Sequence, residues 1–415
     1  MKPPPLAVAI PTIASGLTAG LSVLFFLGLA DRFGDRMLGE IILVQSAVAI
    51  LQMLMIPGSW VYLLGAPDRP ALETRYGEGV ALELTGLLVG LALILAVTAL
   101  APLAGAGHLT AGAWAMYLSL ATTAMSSCMG WLRATESWGR YLVWLILPNL
   151  LRVILVAATP LLVQLGLLPA NAGRAQLILF FFLLPDAIRI ALIYLPLAVR
   201  HFRWQGVANT VAGARLILRN WLWDVGSAMT DVADKLVVGA LVGPQMLVVY
   251  FFARRIGVAT VMVTDPYYAE HYRRIAQLLA NRGAAWRRAW GRGVGLALAL
   301  FAATVAGIML ALAIPMIARY VPDTVVQSLP LFIALMLFDS LIAGNRWGRF
   351  LVQLDGGAKR LFRLRILFFA LFAAVAFAAV HAGFAYALAL ALAAAWAAET
   401  LILHRWTHRL PETAS

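Results

Sequence analysis

DKLVVGALVGPQMLVVYFFARRI, residues 234–256, decides how this chain is built. The stretch is apolar apart from Gly243-Pro244-Gln245 near its middle and charges at its ends. Asp234 and Lys235 precede the Gly-Pro, and Arg254 and Arg255 follow it. Glycine followed by proline inside an apolar run predicts two helices that reverse at 242–244, with no room for a domain between them. At about 1.5 Å per residue, Lys235 lies roughly 12 Å and Arg254 roughly 17 Å from that turn. Both depths fall in the middle third of a hydrocarbon core about 30 Å thick.

The rest of the chain has the composition that such a hairpin needs. Of its 415 residues 62% are apolar and only 12% charged, with a mean hydropathy of +0.87. A soluble domain carries about a quarter charged residues, so this chain has too little polar surface to face water. Apolar runs predict twelve spans near 7–30, 38–63, 78–103, 111–131, 141–165, 176–198, 220–242, 245–269, 292–317, 328–345, 362–381 and 383–403. Most of the 32 Lys and Arg fall in the connections of one side and in the N-terminal tail. The opposite connections carry Arg32, Arg36, Arg174 and Arg319. Retention of cations in the cytoplasm puts both termini inside. The basic pI of about 10.4 therefore reflects short loops against anionic headgroups, and nucleic acid is excluded as a partner. The single cysteine, Cys128, lies in an apolar span and allows no disulfide within the chain.

The expected organisation is an all-α integral membrane protein with two six-helix lobes, 1–199 and 220–415, joined by a cytoplasmic, amphipathic linker at 200–219. A repeat supports the division. At a constant offset of 209 residues, Ala19, Val23, Gly34, Met37, Leu38, Met53 and Pro57 match Ala228, Val232, Gly243, Met246, Leu247, Met262 and Pro266. Six spans separate the copies, so the repeat is parallel, with a pseudo-two-fold axis along the membrane normal. Pro57 and Pro266 occupy the same place in each half and are candidate hinges, since proline removes one helical hydrogen bond.

Five cations fall within predicted spans: Arg152, Arg189, Lys235, Arg254 and Arg255. A bare charge in hydrocarbon is costly, so each must pair, snorkel or face a cavity. Asp186 and Arg189 at i, i+3 and Asp231 and Lys235 at i, i+4 can neutralise each other on one helix face. Asp224, Asp231 and Lys235 share one stripe, and Asp234 stands beside Lys235. Arg152, Arg254 and Arg255 have no acid at such spacings and call for a distant acid or an anionic ligand. Guanidinium matches phosphate oxygens and cannot discharge by losing its proton. Arg152, Lys235 and Arg254 or Arg255 are thus the candidate substrate cations, and Asp231 and the other acids candidates for ion pairing or cation coupling.

The 234–256 hairpin resembles the helix 7–8 hairpin of polysaccharide flippases in the multidrug/oligosaccharidyl-lipid/polysaccharide exporter superfamily. The matching positions are Asp234, Gly243, Tyr250, Ala253 and Arg254 or Arg255, and the turn Asp31–Glu40 resembles the family's first turn more loosely. The resemblance implies two six-helix lobes around a central cavity lined largely by helices 1, 2, 7 and 8. It also implies translocation of an undecaprenyl-diphosphate-linked saccharide between leaflets of a bacterial inner membrane. Expected partners are that lipid-linked saccharide, membrane lipids and components of a polysaccharide polymerase or synthase. The alternatives are a cation-coupled multidrug exporter of the same superfamily, argued against by an ionisable-free first helix, and a membrane scaffold of a polysaccharide synthase complex. No phosphate-binding Gly-rich loop and no zinc-ligand spacing occur, so neither a cofactor nor a metal is expected. The reading is a transporter and not an enzyme.

Overall fold

The computed structural model describes residues 5–56, 63, 68–104, 110–201, 232–257, 284–319, 321–345, 348–349, 352 and 358–408. Pro57, Pro266, Asp224, Asp231 and the linker at 202–219 lie outside the described residues. Among the described residues there is no β-strand, and nine segments are long and apolar enough to cross a membrane.

In chain order the helices are α1 (Pro5–Phe33), α2 (Asp35–Met55), α3 (Arg69–Leu100) and α4, which runs in two segments, Ala113–Ala124 and Ser126–Ala134. They continue as α5 (Trp138–Ala157) and α6 (Arg174–His201). The segment Val232–Gly257 would serve by length as one span. It is a hairpin, because the Tyr250 hydroxyl donates to Asp234 Oδ2 at 2.7 Å across 16 residues, which a straight helix would hold about 24 Å apart. Its arms are α7 before Gly243 and α8 after it. Then follow α9 (Ala284–Ala313), α10 (Leu329–Gly344), α11 (Ala358–His381) and α12 (Ala387–His408). The fold is the expected all-α membrane architecture.

The repeat is visible in the backbone. Gly34 between α1 and α2 has φ +80°, and its counterpart Gly243 has φ +82°. At neither would a Cβ meet another atom within 4 Å. Glycine is there for the left-handed conformation that reverses the chain in one residue, not for space. Gly39 has the opposite reason. A Cβ at Gly39 would run into the carbonyl oxygen of Pro244, with the Pro244 carbonyl carbon at 2.6 Å and its Cβ at 2.7 Å. The backbone of α2 therefore lies directly on the turn between α7 and α8.

The chain divides into two compact units, one of Met1–Gly39 with Met229–Ser415 and one of Glu40–Ala228. In the first, α1 packs with the C-terminal helices through Phe26, whose ring meets Phe251 edge-on at 4.7 Å between centroids. In the second, the Tyr117 hydroxyl of α4 donates to the Gly86 carbonyl of α3 at 2.9 Å.

Helix α6 is irregular for a reason its sequence states. It widens into π-helical turns at Leu179–Leu183 and Ile190–Tyr194, on either side of Leu184–Arg189. Pro185 and Pro196 lack an N–H, and each ring crowds the carbonyl four residues back, at Phe181 and Leu192. Those carbonyls lie inside the two wide turns, which relieve the clash without breaking the helix.

Candidate functional site

The charges that the sequence places inside the membrane are gathered into buried networks, each within one unit. In the Glu40–Ala228 unit the centre is Asp186, whose side chain is 0% exposed. Arg152 Nη2 of α5 donates to Asp186 Oδ2 at 2.7 Å, and Arg189 lies 3.2 Å from Oδ1. The Ser119 hydroxyl of α4 donates to Asp186 at 2.5 Å. The two guanidiniums are further held by neutral groups. Arg152 donates to Asn149 Oδ1 at 2.9 Å and lies over the Phe182 ring. Arg189 donates to Thr122 Oγ1 at 3.3 Å and stacks 4.4 Å from the centroid of Trp144, a cation–π contact that suits a weakly hydrated guanidinium. One carboxylate between two guanidiniums leaves this cluster one positive charge in excess.

A second carboxylate of this unit, Glu83 of α3, is also fully buried. It accepts from the Ser127 N–H at 2.8 Å and the Ser127 hydroxyl at 2.5 Å, and from the Ser126 hydroxyl at 3.3 Å. The break in α4 at Met125 exposes the first N–H groups of its second segment. Glu83 satisfies them as an N-cap borrowed from another helix. The buried thiol of Cys128 lies in that same capped turn.

In the other unit, Asp234 of α7 accepts from the Tyr250 hydroxyl and lies 3.2 Å from Arg254 Nε and 3.5 Å from Lys235 Nζ. Arg254 also pairs with Asp339 of α10. Gly257, one turn on, has no side chain where Asp339 comes in; its Cβ would fall on that carboxylate. Arg255 points elsewhere, as adjacent residues on a helix must. It donates to the Ser22 hydroxyl of α1 at 3.1 Å through Nε and lies over the rings of Phe26 and Phe251.

A third network joins three helices at Glu399 of α12. Arg349 donates to Glu399 through Nε at 2.8 Å and Nη2 at 2.6 Å, the paired geometry that makes such contacts strong. Arg365 of α11 lies 3.9 Å away, and Asn345 donates at 3.3 Å.

Sequence spacing identifies the Asp186–Arg189 contact, and the structure adds Arg152 to it. Arg152 and Arg254 are met by distant acids 34 and 85 residues away in sequence. Lys235 contacts Asp234, its neighbour. The buried acids Glu83, Asp339 and Glu399 and the buried Arg349 and Arg365 have no place in the sequence-derived site. Among the described residues no group of three or more His, Cys, Asp or Glu side chains could hold a metal.

No protein-family model and no curated protein matches this chain. Solved structures do. One is an inward-facing multidrug resistance MATE family transporter of the MOP superfamily, with TM-score 0.60 and 16% identity, covering 98% of this chain and 96% of that one. A second is the MATE multidrug transporter DinF-BH with a small molecule bound, with TM-score 0.58, 13% identity and coverage of 98% and 96%. A third is the eukaryotic MATE transporter AtDTX14, with TM-score 0.60, 11% identity and coverage of 98% and 95%. Over nearly its whole length, the chain has the fold of MATE transporters of the MOP superfamily.

Proposed function

We propose that the protein is a multi-pass secondary transporter of the bacterial inner membrane that exports amphipathic organic cations by alternating access of the sequence halves 1–199 and 220–415. The supporting observation is the state of its membrane-level cations. The case for an anionic substrate needs guanidiniums without acids, yet Arg152 meets Asp186, and Arg254 meets both Asp234 and Asp339. A paired guanidinium attracts a phosphate far less than a bare one. The fold likeness to multidrug transporters points the same way.

In this reading Asp234 and Asp339 carry the coupling. Arg254 is shared between a carboxylate of α7 and one of α10, so a cation or proton arriving at either carboxylate weakens its hold. That is a two-state element of the kind a transport cycle requires. Proteoliposomes bearing the purified protein test the proposal, with ethidium as a fluorescent amphipathic cation. Ethidium should move against its gradient when a proton or sodium gradient is imposed, and Asp234→Asn and Asp339→Asn should abolish that movement. Gradient-independent ethidium distribution in the wild type removes the proposal.

A second reading, a flippase for a diphosphate-linked saccharide, is favoured by one observation. The Asp186 cluster keeps an excess guanidinium, and Arg255 is held by a hydroxyl and two rings. Translocation of a labelled undecaprenyl-diphosphate saccharide, lost on Arg255→Ala, would establish it in place of the first.

A further inference from the structure

Two of the buried networks repeat each other. In the first half Arg152 on the fifth helix pairs with Asp186 on the sixth, and in the second half Arg365 on the fifth helix pairs with Glu399 on the sixth. The sequence separation is 34 residues in the Arg152 pair, and Arg365 to Glu399 spans the same interval. Each acid stands twelve positions beyond the first residue of its helix, Arg174 for α6 and Ala387 for α12. That is roughly 18 Å along the axis. Each acid also takes a second guanidinium, Arg189 or Arg349. Each receives a neutral donor from the fourth helix of its half or that helix's end, Ser119 or Asn345. The surrounding sequences are otherwise different, so apolar periodicity did not produce the match.

We infer that Asp186 with Arg152 and Glu399 with Arg365 are one device present twice, a clamp that ties the last three helices of each half into a body. Arg152 is then a positioning residue and not a contact for the transported solute. Arg365 and Glu399 are its partners in role. The assignment rests on within-half geometry alone and goes beyond the transport reading. A buried carboxylate with two guanidiniums from separate helices suits this task. Removing one partner strands the others in a low dielectric, so the three helices separate at high cost or not at all. Rigid halves are what a rocking cycle moves.

The test uses the full-length protein in lipid nanodiscs for exchange and in proteoliposomes for transport. Hydrogen exchange is compared for wild type, Arg152→Met, Arg365→Met, and the swapped pairs Arg152→Asp with Asp186→Arg and Arg365→Glu with Glu399→Arg. Each Met variant should raise exchange about tenfold or more in the last three helices of its own half and leave the other half unchanged. In ethidium transport both Met variants should lower turnover while KM stays within about twofold, the pattern of a residue that does not touch the solute. Where a Met variant fails to fold, the swapped pair and Arg→Lys decide, and recovery of folding and exchange supports the clamp. Unchanged exchange with a KM raised about tenfold for Arg152→Met alone overturns it, as does failure of both swapped pairs and both Lys variants to restore exchange. If the wild type does not move ethidium, the transport proposal fails and the exchange result alone decides the clamp.

Discussion

Replacing Gly39 with alanine adds one methyl group where the backbone of α2 lies on the turn between α7 and α8. The methyl would sit 2.6 Å from the Pro244 carbonyl carbon and 2.7 Å from its Cβ, and nearer still to the carbonyl oxygen. Carbon atoms rest at about 3.5–4.0 Å, so the turn must retreat by about 1 Å. The obstacle is backbone, which cannot rotate away as a side-chain end can. Such overpacking costs about 1–3 kcal/mol, while alanine in a helix interior returns up to about 1 kcal/mol relative to glycine. The net expectation is a loss of about 1–2 kcal/mol. Gly34→Asn is the control, because that position has open space and only its positive φ to satisfy. Asparagine tolerates the left-handed region, so the control should melt close to wild type. Thermal unfolding of the purified proteins, followed by tryptophan fluorescence, gives the order wild type, Gly34→Asn, Gly39→Ala. A Gly39→Ala protein that melts at or above wild type refutes the close approach of the two turns.

Other outcomes follow from the buried networks. Asp234→Ala should cost about 3–5 kcal/mol, because Arg254 and Lys235 lose a buried counter-charge; Tyr250→Phe removes one hydrogen bond to the same carboxylate and should cost about 1 kcal/mol. Urea unfolding of both variants checks the ratio, and equal losses would contradict the network. Glu83→Gln keeps an acceptor for the Ser127 N–H, whereas Glu83→Ala leaves it unmet at a cost of about 1–3 kcal/mol. Local exchange at 126–128 should rise in the alanine variant only. Arg254→Met with Asp234→Leu should be less destabilised than Asp234→Ala, since no buried charge is left stranded between them; a double variant less stable than Asp234→Ala would argue that Arg254 gains its stability elsewhere.

What the sequence shows, and what it hides, divides by distance along the chain. The reversal at Gly243 was legible because glycine followed by proline has a local meaning, and Gly34 because the repeat carries the same turn. Asp186 with Arg189 was legible because three residues span one helical turn. Arg254 was not, since Asp339 comes from a helix that no local pattern connects to it. Glu83 was hidden by an error of register. A span beginning at 78 puts it near the membrane surface, where charge is ordinary, while α3 begins at Arg69 and carries it fourteen residues inward. Arg365 was absorbed by the loop rule, which explains cations by side and is blind to one that turns inward to Glu399.

The two wide turns of α6 have a bearing on how this helix came to hold its charges. A π turn holds one residue more than the α turn it replaces, and each extra residue advances the face by about 100°. Leu184–Arg189 is thus a short α-helical insert whose angular setting is fixed by its two boundaries, not by the heptad-like pattern of the flanking apolar residues. The lipid-facing and core-facing stripes above and below need not share a phase with Asp186. One helix can therefore answer two demands, an apolar packing register at its ends and a separately aimed carboxylate at its centre, which no uninterrupted 3.6-residue period could satisfy together.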